Sequence, residues 1–463
     1  VSSTQVSSRR LAIGARSIRL AGVELALRRM RTHRLFLPLV FVAIAAATSF
    51  LAWSRFLPAN RDILWAEDGR NFLQDAINTG PFGSLFEPYA GYLHTIPRLI
   101  AGITVALAPV SSYALWMTAG SCIAAGVMAA IVFVCSSAVV RWIPARLMLA
   151  ALTVLVPLAP REVLGNTANL HTLVLWTLCW VLAYHPRTRI GAACLAVFTL
   201  LGAMTEIQAV FLLPLLIFHG RDRQRWLVRG AYLLGIAVQV FVTMFWPRHH
   251  STNPLIGLPS LLYGYLFNSS VSVWVPQHQA GAFAVQFGIA GCALLALPFI
   301  AAYLAILRWG TRRTRLFATA LVVLSITVYV ASVEETPRPS YDYASLSPSA
   351  LAITVPLRYG VAPSMLLCAL IPIACALIVA RLRAGMFDRP RLSRGIVAAA
   401  SILLCAAMVA QFVPPTRRSL GPQWQPEVTA ATQLCAQQPD TTRVSLAETI
   451  GWHVEVPCGM LER

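Results

Sequence analysis

Apolar positions in this chain recur in long runs separated by short polar breaks, from residue 35 to residue 413. The runs cover 35–53, 112–140, 147–158, 172–182, 190–219, 228–245, 282–307, 316–332, 360–380 and 396–412. A segment that spans a bilayer as a helix needs roughly 20 apolar residues, and most of these runs reach or approach that length. The stretch 94–109 is apolar but shorter, so it is expected to lie along the surface as an interfacial helix. The run 190–219 is interrupted at Thr205-Glu206 and reads as two half-length helices. Counting the halves separately gives about eleven crossings, with a range of about ten to thirteen, in an all-α polytopic membrane protein.

Composition agrees with that pattern. Hydrophobic residues make up 57% and charged residues 12%, too apolar for a water-soluble domain. The net charge of +19 comes from 37 basic residues, all of them Arg. Most fall in short clusters between apolar runs, which is a positive-inside pattern and not a nucleic-acid patch. Of the 18 acids, only Glu24, Asp222 and Asp388 fall on the side that the Arg clusters mark as inner. The expected organisation is a basic inner arm over 1–34, a membrane domain over 35–413 and a small outer tail over 414–463. The first outer loop runs over about 58–110. The segment 247–279, with His249, His250 and His278, is read as another outer loop without metal-ligand spacing.

Eight cysteines lie singly in apolar runs and read as small packed hydrophobes. Cys435 and Cys458 lie in the tail, on either side of two alternating stretches, Arg443-Val-Ser-Leu and His453-Val-Glu-Val, that flank Gly451. Two short strands joined by a turn are expected there. A disulfide between these cysteines in an oxidising exterior would contribute roughly 3 kcal/mol, with two free thiols as the alternative.

Chemistry concentrates in the polar breaks. Trp65-Ala66-Glu67-Asp68-Gly69 places adjacent carboxylates after the first apolar run. Asp68 is read either as the N-cap of a following helix or as a functional acid, and the two roles are compatible. Next come Tyr89 and Tyr92, expected at an interfacial belt, and then His94 and Arg98, one helical turn apart. Arg98 is a candidate for pairing with a phosphate. Arg161, Glu162, Asn166, Asn169 and His171 form a polar group beside two short apolar runs. Glu206 sits within an apolar run, where a carboxylate is costly and tends to face a wet pathway. The segment 334–358 is a long aromatic and Pro-rich loop ending at Arg358-Tyr359, a candidate lid with a second phosphate partner.

With these residues in place, the chain resembles the GT-C class of membrane glycosyltransferases. The likeness rests on Glu67-Asp68 in the first outer loop and on the short apolar stretch over 92–109 that follows. It implies a GT-C-like fold and transfer of a sugar from a polyprenyl-phosphate donor to a glycan or glycolipid acceptor outside the cytoplasmic membrane. The tail is similar to those of related actinobacterial envelope proteins, which implies a bacterial inner-membrane location, while the Arg clusters and an odd number of crossings place the N-terminus inside and the C-terminus outside. Asp68 would act as general base or orient the acceptor, and Glu67 would support it. Glu67 and Asp68 would also hold a divalent cation, Mg or Mn, if one is used. His94, Arg98, Glu162, Asn169, His171, Glu206, Arg358 and Tyr359 would bind substrate, Arg98 or Arg358 offsetting the lipid phosphate. The chain departs from the class in having Glu-Asp where many members show Asp-Asp or Asp-x-Asp, and in lacking a large soluble C-terminal domain. The rival readings are a glycolipid transporter or flippase built on Glu206 and the broken run, and, last, an acyltransferase using His94 or His171.

Overall fold

The computed structural model describes residues 36–217, 223–248, 251–387, 389–414, 416–449 and 451–461. The basic arm over 1–34, Asp222, Asp388, His249 and His250 lie outside the described residues. The described chain is mostly helical, 73%, and has eight helices long and apolar enough to cross a membrane. This is the architecture of an all-α membrane protein.

Helix α1 (Phe36–Ser54) is apolar on every face and barely covered by protein, as a lipid-facing helix should be. After α2 (Thr95–Leu107), the chain enters α3 (Tyr113–Cys135), which packs closely against α1. A Cβ at Gly126 would lie 2.0 Å from Ser49 Oγ and 2.5 Å from the Ala45 carbonyl oxygen. Small residues let helix backbones approach where hydrophobicity alone drives no association. Helices α4 (Ile143–Leu155) and α5 (Leu170–Ala183) follow. At 14 residues α5 is about 21 Å long, too short to cross alone. Every residue of it except His171 and Thr172 is buried, so its shortness is accommodated inside the bundle.

Helix α6 (Arg189–Ala203) stops at the expected break, and Ile207–Ile217 continues as a 3-10 helix. The N-terminus of α2 docks on that break. Thr95 donates through Oγ1 to the Met204 carbonyl at 2.9 Å, and Thr205 Oγ1 accepts from the Ile96 amide at 3.0 Å. Irregular backbone among apolar helices persists only where its polar groups find partners, and α2 supplies them. α2 itself is amphipathic, burying Pro97, Arg98, Ala101 and Thr104 and exposing Ile103 and Leu107.

The later elements are α7 (Arg223–Phe245), α8 (Leu258–Leu266), α9 (Gln277–Leu294), α10 (Leu297–Trp309), α11 (Arg312–Glu335), α12 (Val361–Cys368), α13 (Leu370–Arg383) and α14 (Pro390–Ala410). The segment 247–279, read as an outer loop, has regular structure within it. Residues 258–274 are helical, with a π turn at Phe267–Val271 in the middle. The polar residues that made this run look like a loop are buried and bonded. Asn268 Nδ2 donates to Tyr343 OH at 3.0 Å, to Tyr329 OH at 3.2 Å and to the Gly264 carbonyl at 2.7 Å. Its Oδ1 accepts from the Leu357 amide at 2.6 Å, tying the proposed lid loop to this helix.

The tail is not a separate appendage. Helix α15 (Trp424–Gln437) and the antiparallel pair β1 (Arg443–Ala447) and β2 (His453–Pro457) share one core with the first loop. Alternation is clear on both strands: Val444, Leu446, Val454 and Val456 face inward. Gly451 has φ +79° at the turn, and Cys435 is bonded to Cys458. Trp424 donates to the Val110 carbonyl at 2.7 Å, and the Glu455 amide donates to Gln74 Oε1 at 2.6 Å.

Candidate functional site

Each residue of Ala66-Glu67-Asp68-Gly69 has a different task. Ala66 has φ +43°, a left-handed conformation that costs a non-glycine residue free energy, and its amide donates to Thr449 Oγ1 at 3.2 Å. Asp68 begins the helical turn Asp68–Leu73 but does not cap it with its side chain. Instead its carboxylate accepts from the Thr167 amide at 2.9 Å, Thr167 Oγ1 at 2.7 Å and the Ala168 amide at 2.9 Å. It is 0% exposed. Burial pushes its carboxyl up to about 6, against the pull of these donors and of Arg418. The residue expected to lead catalysis is sealed into a seam, stapling the first loop to residues 166–168.

The rest of the seam comes from the tail. Arg418 donates to the Gly165 carbonyl at 2.6 Å, to Thr118 Oγ1 at 2.6 Å and to the Ile63 carbonyl at 2.9 Å. Glu448 is 1% exposed and its carboxyl lies on Gly69. A Cβ at Gly69 would sit 2.3 Å from the Glu448 carboxyl carbon, so a larger residue there would force that side chain to move. Burial and the neighbouring Asp68 push Glu448 up to about 9, while the Arg70 and Gly69 amides pull the other way. At neutral pH it is therefore a neutral acid packed against the motif.

Glu67 faces the other way. It is half-buried, and its Oε2 is shielded from solvent yet has no hydrogen-bond partner. A shielded carboxylate oxygen without a donor is costly and marks a place where a polar ligand atom would be stabilising. The groups within its electrostatic reach are Tyr89, Tyr92, Arg358 and, on the seam side, Glu448. Tyr89 and Tyr92 pair across a tight turn whose Ala90 and Gly91 have φ +51° and +86°. Gly91 also allows close approach, since a Cβ there would lie 2.9 Å from the Arg248 backbone nitrogen.

Beyond Tyr92, half-length helices bring further polar groups together. His171, at the start of α5, contacts Glu206 at the break after α6 through Nδ1 and Oε2. Glu206 Oε1 accepts from the Gln208 amide at 2.7 Å. Glu162 pairs with Arg358 at 3.2 Å and with Arg161 at 3.5 Å. His171, Glu206, Gln208, Ser332, Arg358 and Tyr359 line a cleft of about 20 Å³, room for about one water as it stands. Arg358 links the cleft to Glu67, because both Glu162 and Glu67 act on it.

Of the residues expected to bind substrate, Glu162, His171, Glu206, Arg358 and Tyr359 are thus brought together with Glu67. Asn169 supports them from behind, donating to the Glu162 carbonyl at 2.9 Å. His94 and Arg98 are placed differently. His94 is buried among Phe72, Tyr89 and Tyr92, with ring centroids at 5.5, 5.5 and 4.1 Å, and burial together with His171 holds it well below the usual imidazole range. It is a neutral packing residue under the tyrosine turn. Arg98 is buried against Asp75 at 2.8 Å and lies over the Phe72 ring, so its charge is already paired within the first loop. The arginines that act electrostatically on Tyr89 and Tyr92 are instead Arg358 and Arg248, and Arg248 acts on His94 as well. Nothing in the sequence around Arg248 marked it.

Glu67 and Asp68 do not form a two-carboxylate cradle, since the Asp68 oxygens are taken by three donors. Among the described residues no group of three His, Cys, Asp or Glu side chains is placed to hold a metal ion. The Asp68 oxygens are thus already committed to protein donors and are not free to share a divalent cation with Glu67.

A scan against protein-family models found no match, and neither did searches of curated proteins and of solved structures.

Proposed function

We propose that the protein is a glycosyltransferase of GT-C-like architecture that moves a sugar from a polyprenyl-phosphate donor to a glycan or glycolipid acceptor. In this reading the chain crosses the cytoplasmic membrane of a bacterium about eleven times, counting α5, α6 and Ile207–Ile217 with the eight long helices, and the cleft faces outward. The observation that carries the proposal is the unpartnered Glu67 oxygen within electrostatic reach of Arg358, which itself lines the cleft of Glu206 and His171. A sugar transfer from a lipid phosphate needs those two kinds of group side by side.

Glu67 accepts the proton of an acceptor hydroxyl as that oxygen bonds to the anomeric carbon. The bond from that carbon to the phosphate oxygen breaks, and its electron pair leaves with the lipid phosphate. Arg358 and Arg248 offset the charge of the leaving phosphate. His171 and Glu206 orient the acceptor. Asp68 acts through position, fixing the turn that carries Glu67.

The test uses the full chain in liposomes with a panel of polyprenyl-phosphate-linked hexoses and pentoses, reading release of polyprenyl phosphate. Glu67→Gln is expected to lower turnover about 10²- to 10⁴-fold, the usual worth of a general base, with unchanged thermal stability. Turnover equal to wild type overturns the assignment. The second reading, a glycolipid transporter, is favoured by the Glu206–His171 pair lying at the break in a helix. Movement of a labelled lipid between leaflets without chemical change would support it instead.

A further inference from the structure

A second cavity lies at the other end of the bundle, where the connection from α3 to α4, the start of α11 and the last turns of α13 meet. Its volume is about 480 Å³, and three arginines, Arg141, Arg313 and Arg383, line it. No Asp or Glu is among its lining residues. Arg141 and Arg383 are exposed, and Arg313 spends one donor on the Ala183 carbonyl at 3.1 Å. Cations gathered around a cavity without a carboxylate repel one another, so the arrangement is stabilised by an anion from outside the chain.

The walls show what kind of anion. Apart from the arginines and from Thr311 and Thr314, the lining is apolar, with Leu377 and Ala380 on α13, Val139, Val140 and Trp142 among it. A small hydrophilic anion gains nothing from that wall, whereas a molecule with a charged head and a hydrocarbon tail matches both parts. Position agrees. Arg313 stands at the start of α11 and Ser332, in the cleft with Glu206 and Arg358, near its end. At 1.5 Å rise per residue they are about 29 Å apart along the axis, one hydrocarbon thickness. The arginines therefore sit at headgroup depth.

We infer that this cavity binds one anionic phospholipid, its phosphodiester held by Arg141, Arg313 and Arg383 and an acyl chain lying along α13. The site is independent of the proposed transfer reaction and does not need it.

The experiment is native mass spectrometry of the full chain in detergent with phosphatidylglycerol or phosphatidylcholine added. Wild type is expected to retain one phosphatidylglycerol in preference to phosphatidylcholine. Arg141→Ala/Arg383→Ala should lower that retention about thirtyfold, two surface cations' worth of headgroup attraction. Ala380→Trp, which fills the cavity without changing charge, should lower it as well. Arg391→Ala/Arg394→Ala removes the same charge from exposed positions beyond α13 and should leave retention unchanged. Equal retention in the cavity variants overturns the inference, and so does an equal loss in the Arg391/Arg394 variant, which would mean diffuse charge. Displacement of the lipid by inorganic phosphate alone would overturn it by showing a simple anion site.

Discussion

Glu67 and Asp68 are consecutive residues with opposite surroundings. On the Asp68 side lies a buried seam made from the first loop, residues 165–168 and the tail, in which Thr167 saturates Asp68, Arg418 is hydrogen-bonded and Glu448 packs on Gly69. On the Glu67 side lies a half-buried carboxylate with an unpartnered oxygen, within electrostatic reach of an arginine that lines the cleft of a His–Glu pair. Both sides keep unpartnered carboxyl oxygens, Glu448 in the seam and Glu67 outside it, but Asp68 is saturated by three donors and Glu448 is buried, whereas Glu67 is partly open to solvent. Saturated polar groups fix geometry, and unsaturated ones are available to a substrate. The seam and the cleft are thus two halves of one device, a rigid mount and the groups it presents.

The comparison breaks most severely at Asp68. In Asp68→Asn one side-chain oxygen remains, and the new amide is forced toward a buried N–H or O–H donor. A loss of about 3–5 kcal/mol is expected, the usual cost of spoiling a buried charged hydrogen-bonding group. Thermal unfolding of the purified protein reads it directly. Glu67→Gln on the same measurement should stay within about 0.5 kcal/mol of wild type. If both variants unfold together, the division into mount and presented group fails.

Much of this architecture was legible in the sequence, because hydropathy reports burial and length directly. The apolar runs became helices, the interruption at Thr205-Glu206 became a break, and the Gly451 turn with Cys435 and Cys458 became a closed hairpin. The helix over 258–274 was misread for a physical reason. Asn268, Ser269, Ser270 and Ser272 are polar by type but buried by position, and hydropathy cannot see that tyrosines 61 and 75 residues away will bond Asn268. Which of two adjacent acids faces a ligand was equally invisible. That is decided by Thr167 and by Glu448, residues far along the chain that carry no local pattern. Arg98 looked available only because its partner Asp75 approaches through the fold of the first loop.

A milder perturbation tests the seam at Gly69. Adding a methyl group there drives it into the Glu448 carboxyl, so Gly69→Ala should cost about 1–3 kcal/mol by overpacking. The second-site change Glu448→Ala opens the space, and the double variant should be less destabilised than the sum of the two single changes. Strict additivity would mean that the tail does not rest on the motif. Urea or thermal unfolding of the four proteins gives the coupling.

The smallest effect is a pH dependence that separates the two buried acids of the seam. Glu448 has a folded value of about 9, raised from 4.5, and Asp68 a folded value of about 6, raised from 3.8. A raised acid binds its proton more tightly when folded. Its stabilising contribution is complete below the unfolded value and is lost as pH climbs through the folded one. Asp68 has therefore finished its share by about pH 7, and His94, held well below the usual range, is already neutral. Between pH 7 and 9 the Glu448 share is isolated by comparison with Glu448→Gln, which keeps the shape and cannot ionise. Relative to that variant, wild-type stability should fall across the interval by about 1 kcal/mol per pH unit, close to the limit for one proton. A wild-type profile parallel to that of Glu448→Gln would mean that Glu448 is charged against Gly69. The Gly69 and Arg70 amides would then be holding an anion, and the tail would grip the motif by charge and not by packing.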